Sequence, residues 1–383
     1  MRGRSLAASA LIAAIATGAL LVTTGALGAN AHASSRAVCP SPSAGAAHCH
    51  ALVVTDARGN PLASSSPTGL SPATIRSAYG FPTSSSAGSG KTIAIVDAYD
   101  DPTAETDLGV FSSQYGLPTC TTANGCFAKV SQTGGKRYPR SNSGWALEIS
   151  LDIEWAHAIA PGAKILLVEA TSNSFSNLLA AEDYAKAHAQ YVSNSWGGSE
   201  FSGESSYDSH FVRSGVSFFV SSGDAGLPAE YPSASPNVIS VGGTTLHFSG
   251  GNYASETGWS SGGGGCSSYE SAAPAQSGFG EYAQASCGGK RATPDVSLDA
   301  DPSSGVSVYD STKYGGASGW WTVGGTSASS PMWAGRAAVA GAVVNAAYVY
   351  GSGIAFRDIE VGNNGAPCLV GYDLCTGRGS WTG

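Results

Sequence analysis

Three local patterns carry side chains able to attack a carbonyl or move a proton. Gly324-Gly325-Thr326-Ser327-Ala328-Ser329-Ser330-Pro331 sets a serine in a Gly-rich turn just before a predicted helix. The first N–H groups of a helix have no intrahelical acceptor and point outward from the positive end of its dipole. A hydroxyl placed there is an exposed nucleophile whose own amide helps hold an oxyanion. The competing role is an ordinary N-cap, which serine fills well. Glu148 and Asp152 stand four residues apart on a second predicted helix, so their Cβ atoms lie about 5–6 Å apart on one face. Two carboxyls that close share a proton rather than both ionise, and such a pair is able to take a proton from a serine. Two acids at this spacing also occur on solvated faces, but the flanks here are Trp145, Leu147, Ile149, Leu151 and Trp155. The third pattern is Val220-Ser221-Ser222-Gly223-Asp224-Ala225-Gly226, which puts Asp224 in a glycine turn after a predicted strand.

The elements that must position these groups alternate. Thr92 to Asp97, Lys164 to Glu169, Tyr191 to Ser195, Val216 to Val220 and Asn237 to Val241 are short apolar runs with the texture of buried strands. Between them, Ser143 to Ala158, with Trp145, Ile149, Ile153 and Ala156 on one stripe, Phe175 to Ala189 and Gly203 to Ser214 read as helices. Ser329 to Ala347 reads as one long Ala/Val-rich helix with Pro331 in its first turn. Strands separated by helices imply an α/β fold, a mostly parallel sheet with helices on both faces in three αβα layers. Functional groups then gather at the strands' carboxyl ends. Gly243 to Thr293, which contains Cys266 and Cys287, reads as an irregular insertion.

Composition narrows the setting. Arg2 and Arg4 precede an apolar run, Leu6 to Leu27, and Ala31-His32-Ala33 offers small residues for signal cleavage after Ala33. Residues 1–33 are therefore expected to be an export signal and the protein to be secreted. No later stretch has the roughly 18–20 apolar residues of a membrane span. About 350 residues remain after the signal, with an overall net charge of −8 and no basic block. That excludes a nucleic-acid partner as a natural reading and leaves a monomer as the expectation. Residues 34–69 are rich in Ser, Ala, Pro and Gly and read as an extended leader. From Ser71-Pro72, a helix start, to the end the chain reads as one domain, 70–383. The eight cysteines form close pairs, Cys39/Cys49, Cys120/Cys126, Cys266/Cys287 and Cys368/Cys375. An even count behind an export signal favours disulfides over zinc, with local pairing the simplest connectivity and each bond stapling a loop.

Taken in order, Glu-x-x-x-Asp, Ser-x-Gly-Asp-x-Gly and Gly-Thr-Ser-x-x-x-Pro resemble the sedolisins, serine-carboxyl peptidases of subtilisin-like fold. The resemblance runs from Leu70-Ser-Pro-Ala-Thr-Ile-Arg-Ser-Ala-Tyr79 through Ser193-Asn-Ser-Trp-Gly-Gly198 to the C-terminus. It implies Ser327 as nucleophile, Glu148 as general base, Asp152 as its partner and Asp224 as oxyanion donor. Ser193, Asn194, Ser195, Trp196, Gly197 and Gly198 would pair with a peptide substrate as an added strand. One structural Ca²⁺ is implied at Asp358, Ile359, Leu369, Gly371 and Asp373, a hard-oxygen set. Leu369 stands where the family has glycine, and Cys368 and Cys375 flank the loop.

The resemblance implies a secreted endopeptidase acting on proteins or peptides at acidic pH, because Asp224 donates a hydrogen bond only when protonated and a carboxylate base suits acid. A secreted, non-catalytic peptide- or surface-binding protein on the same fold is the alternative. His157, His188, His210 and His247 lack a subtilisin-type setting. Asp97 closes a strand as a subtilisin triad Asp does, yet has no partner histidine. Sedolisins carry a large folded prodomain, and residues 34–69 are too few for one.

Overall fold

The computed structural model describes residues 34–351 and 353–381, with Met1. The expected export signal, residues 1–33, lies outside the described residues. No helix among the described residues is long and apolar enough to cross a membrane.

The leader is not a loose extension. It holds four short strands, β1 (Ser35–Ala37), β2 (His48–Cys49), β3 (Leu52–Val54) and β4 (Ala63–Ser64). Then come α1 (Pro72–Tyr79), capped by the Ser71 side chain on the Thr74 N–H, and β5 (Thr92–Ala98). The alternation continues with α2 (Ala104–Tyr115), β6 (Phe127–Ser131), α3 (Ser143–Ile159), β7 (Lys164–Ala170), α4 (Phe175–His188), β8 (Tyr191–Asn194) and β9 (Trp196–Ser199). After a 3₁₀ segment, Glu204–Phe211, come β10 (Ser217–Ser221), β11 (Glu230–Tyr231), β12 (Ile239–Ser249) and β13 (Asn252–Gly258). The remainder holds β14 (Gly265–Ser271), α5 (Pro274–Ser277), β15 (Lys290–Thr293), β16 (Val296–Asp299), β17 (Val306–Tyr314), β18 (Ala317–Gly324), α6 (Thr326–Ala340) and α7 (Ala346–Val349).

The main sheet runs β13-β12-β10-β8-β5-β7-β6, with β16 also on β12. Every pairing in it is parallel except the β12–β13 hairpin. Helices α3 and α6 pack on each other and on β5, while α4 covers β5 and β7. This is the expected three-layer α/β arrangement. A second sheet, β1-β3-β18-β17, lies against α3 through β17. That contact changes the reading of α3. Instead of one apolar stripe, residues 144–159 are all buried, because sheet, α6, α2 and β17 enclose the helix on every side.

Other expectations shift. The helix expected over Gly203 to Ser214 is instead a shorter 3₁₀ segment, Glu204–Phe211. The long helix expected over Ser329 to Ala347 begins earlier, at Thr326, and stops at Ala340, capped by Gly341, which adopts φ 68° and donates its N–H to the Ala337 and Ala338 carbonyls. Such a left-handed cap is where glycine ends a helix, and α7 is a separate element. The stretch from Gly243 is less irregular than expected, since β12 and β13 form a hairpin with a bulge at His247/Phe248.

All four cysteine pairs are disulfides in the local pairing expected, Cys39–Cys49, Cys120–Cys126, Cys266–Cys287 and Cys368–Cys375. The setting of Cys287 nevertheless corrects the reading of this bond as a staple within an irregular insertion. Cys266 lies on β14, which pairs antiparallel with β15, and Cys287 lies three residues before β15 begins. The bond therefore ties the approach to one strand onto its own partner strand. Cys287 is buried there, against the hydrophobic core, while Cys266 is half-buried. The cause is the β14–β15 ladder, a pairing that the glycines and polar residues of this stretch do not announce.

Candidate active site

Ser327 is the second residue of α6 and is fully buried. The turn before it requires glycine. Gly325 has φ 97°, and a Cβ there would lie 2.0 Å from the His50 carbonyl oxygen and 2.6 Å from Asp224 Oδ2. Being in the first turn, the Ser327 N–H has no intrahelical acceptor; it donates to the His50 carbonyl at 3.2 Å. The Ser327 hydroxyl donates to the Ser195 carbonyl at 3.3 Å.

Glu148 and Asp152 project from α3, which packs on α6. Both Glu148 oxygens are buried without a hydrogen-bond partner, as is Asp152 Oδ2. Asp152 Oδ1 accepts from the Ser195 hydroxyl at 2.9 Å. Burial, then the neighbouring Asp152 and Asp97, push the Glu148 carboxyl well above its ordinary range, and the nearby Ser327 hydroxyl offsets only part of this. Burial and Asp97 do the same to Asp152, against the Ser195 hydroxyl. The pair therefore holds a proton, as two close carboxyls in a low-dielectric site must.

Asp97, at the end of β5, is the third member of this group. Its side chain is buried with neither oxygen partnered, and burial raises it to about 8. The sequence places it at a strand end, but only the packing of α3 on β5 brings its charge to Glu148 and Asp152.

Asp224 follows β10 and reaches α6 from the opposite side. Its Oδ1 accepts from the Thr326 N–H at 2.7 Å and the Thr326 hydroxyl at 2.9 Å. Its Oδ2 has no partner, and it crowds the same point beside Gly325 as the His50 carbonyl. Burial raises Asp224 to about 6, although His50 and the Thr326 donors pull it down.

The leader occupies the space between these groups. β2 pairs antiparallel with β9, His48 opposite Gly197 and Cys49 opposite Trp196. The His50 N–H donates to the Ser195 carbonyl at 3.1 Å. Beyond Ala51, β3 pairs antiparallel with the end of β18, Leu52 opposite Gly324 and Val53 opposite Val323. Residues 48–54 thus run past Ser327 as an added strand on each side, with the His50 carbonyl on the Ser327 amide. Of the six residues expected to pair with an added strand, Ser195, Trp196 and Gly197 do so with residues 48–50. Gly198 instead faces Tyr231 of β11. Ser193 and Asn194 lie inside the main sheet, paired with β5 and β10, and the Ser193 hydroxyl meets that of Ser330 at 2.8 Å. His48 and His50 went unremarked in the sequence; an alternating His-Cys-His within a low-complexity leader was the available signal.

The expected calcium residues lie together. Asp358 Oδ2 accepts from the Gly371 N–H at 2.6 Å, and Asp373 Oδ2 from the Leu369 N–H at 2.7 Å. Asp358 Oδ1 is buried without a partner. Asp373 is raised to about 6, first by burial, with Asp358 adding to it against three backbone donors. Two facing carboxylates with an orphaned buried oxygen fit a hard cation. Gly371 has φ 83°, which favours glycine, whereas Leu369 is outside the left-handed region, so a side chain is tolerated at that position.

Residues 140–348 match the model of the subtilase family. Kumamolisin from Bacillus sp. (strain MN-32) is 31% identical over 366 residues, covering 83% of this chain and 63% of its own length. Sedolisin from Pseudomonas sp. (strain 101) is 34% identical over 206 residues, covering 43% and 33%. The chain thus spans less than two thirds of these relatives. The solved structure of Pseudomonas sedolisin complexed with two molecules of pseudo-iodotyrostatin aligns with TM-score 0.69 and 26% identity, over 83% of this chain and 96% of that one. The chain belongs to the subtilase family, and the relatives it resembles within it are sedolisins.

Proposed function

We propose that the protein is a secreted serine-carboxyl endopeptidase that cleaves proteins or peptides at acidic pH. In this reading Ser327 Oγ attacks the scissile carbonyl and passes its proton to ionised Glu148, while Asp152 takes part of the shared proton. The Oγ–C bond forms as the carbonyl becomes an oxyanion, held by the Ser327 N–H and the O–H of protonated Asp224. Collapse breaks the C–N bond, the leaving amine takes the proton from Glu148, and water then hydrolyses the acyl-enzyme by the same groups in reverse. Asp97 acts on the pair only through its field, raising the affinity of both carboxyls for the proton.

The observation that carries the reading is the seat of residues 48–54. A peptide already lies across the cleft as an added strand, and its His50 carbonyl accepts from the Ser327 N–H, where an oxyanion would need a donor. A Ca²⁺ ion would be held by the Asp358 and Asp373 carboxylates with the carbonyls of Ile359, Leu369 and Gly371; it would neutralise the facing charges and pin the loop closed by Cys368–Cys375.

The test is acid incubation of the full chain, followed by mass measurement and digestion of a peptide library. The expected result is hydrolysis of added peptides and a new N-terminus at Ala51, both absent in Ser327→Ala. A well-folded chain that stays intact and cuts no peptide between about pH 3 and 6 overturns the reading in favour of a binding protein.

A further inference from the structure

His48 on β2 and His50 just past its end stand two residues apart in extended chain, so their side chains share one face, and that face meets Glu230 at the start of β11. His50 Nε2 stands 3.0 Å from Glu230 Oε2, and His48 Nε2 stands 3.8 Å from the same oxygen. The two rings meet edge to face with centroids 5.0 Å apart. One atom from each of the three side chains falls in a group whose members all lie within 4.8 Å of one another. A tetrahedral zinc site, with bonds of about 2.0–2.1 Å, sets its ligand atoms roughly 3.3–3.4 Å apart. The 3.0 and 3.8 Å separations from Glu230 Oε2 bracket that spacing.

The surroundings are built to match. His50 Nδ1 is 2.7 Å from the Ser221 hydroxyl, which donates onward to the Asn194 carbonyl at 3.4 Å. Ser221 is thereby free to accept from Nδ1–H and leave the Nε2 lone pair for a metal. This is the outer contact a metal-bound imidazole needs. Gly197 and Gly223 leave the necessary room, since a Cβ on the first would lie 2.8 Å from the His50 ring and on the second 3.1 Å from the Glu230 carboxyl. The His48 side chain is 26% exposed, which gives an ion a way in. Two imidazoles and one carboxylate suit Zn²⁺ with a fourth position open to water; calcium and magnesium prefer oxygen alone.

We propose that His48, His50 and Glu230 bind a zinc-class divalent ion that clips the leader strand into the cleft. Two ligands belong to the leader and the third to the peptidase body, so the bound ion joins one to the other across the substrate path. Its regulatory meaning rests on the reading of this cleft as the substrate site; the metal site itself does not.

The experiment uses the full chain carrying Ser327→Ala, stripped of metal and held at about pH 7.5 with excess calcium. Zinc chloride is titrated by calorimetry and Co²⁺ by visible absorbance. One equivalent is expected, with an intense tetrahedral-type Co²⁺ band. His48→Ala should abolish the band, and Ser221→Ala should weaken zinc about 10–100-fold, the usual cost of an outer contact. His188→Ala, remote from the cleft, should match its parent. His48→Gln serves if His48→Ala does not fold by circular dichroism. Failure to bind one equivalent, or binding unchanged in the folded His48 variant, overturns the proposal. The Ser327→Ala chain cannot turn over, so these results are independent of peptidase activity. A chain that binds zinc yet never hydrolyses peptides refutes only the function proposed above.

Discussion

Replacing Asp224 by asparagine separates two pH limbs that the site otherwise mixes. Rising pH favours Glu148 as a base, because its carboxyl is raised and must ionise before it accepts the serine proton. It disfavours Asp224, which is raised to about 6 and donates only as the acid. The alkaline limb of the rate profile therefore belongs to Asp224. With a midpoint near 6, about one-tenth of the sites keep the donor at pH 7, and each further unit costs about tenfold. The floor is the loss of one oxyanion donor, roughly 10²–10³ in kcat/KM. In Asp224→Asn the amide oxygen keeps the Thr326 N–H contact and the NH₂ donates at every pH. The assay is kcat/KM on an internally quenched peptide from about pH 3 to 8, with both proteins first held in acid until the leader is cut. The variant should lose the alkaline limb. If it keeps the wild-type fall, Asp224 is not the donor that sets it.

The buried carboxyls make a stability prediction of the same sign. Asp97, Glu182 and Asp310 are raised to about 8 and Glu169 to about 9, in each case chiefly by burial. A folded state that holds protons more tightly than the unfolded chain is favoured below the ordinary carboxylate range, and that advantage is lost as pH climbs to the folded value. Melting temperature should be highest near pH 4 and fall steadily towards pH 9; a rise over that interval contradicts the assignment. Glu148→Gln should abolish peptide hydrolysis yet raise the melting temperature at pH 7, because it removes a buried acid that must take up a proton to fold at neutral pH; an active or less stable variant counts against this. Calcium chelation should lower the melting temperature of the wild type and not of Asp358→Asn, read by differential scanning calorimetry; equal shifts in both exclude the loop as the site.

What was legible in the sequence was what is local. The i, i+4 acids, the Gly-rich turn and Asp after Gly all owe their geometry to a few neighbouring residues, and the disulfides join cysteines close in the chain. Strand and helix alternation gave the layers for the same reason. Asp97 was not legible as part of the group, because its effect depends on α3 lying over β5, a contact between residues some fifty positions apart. Nor was the leader. Residues 48–54 become strand through the edges they dock on, and their own composition has neither the alternation nor the length that marks a strand in isolation. The Cys266–Cys287 bond falls between these cases, since its pairing is local but the β14–β15 ladder it braces is not written in the residues between. Gly341 shows the reverse error, where an Ala/Val-rich run read as one helix although a single glycine at φ 68° ended it.

The position of β2 and β3 has a consequence for the protein after the leader departs. Each covers a strand rim, β9 on one side and β18 on the other. Cleavage after His50 releases β2, and where β3 then swings off β18 on its remaining tether both rims offer bare amides and carbonyls to any extended chain that arrives, which is the liability native sheets are built to hide. The property that lets the cleft accept a stretch of peptide thus also makes it adhesive towards unfolded copies of the same protein. The leader is in this sense a solubility device as much as a plug. The protein freed of its leader should be most prone to self-association when concentrated and without a peptide in the cleft.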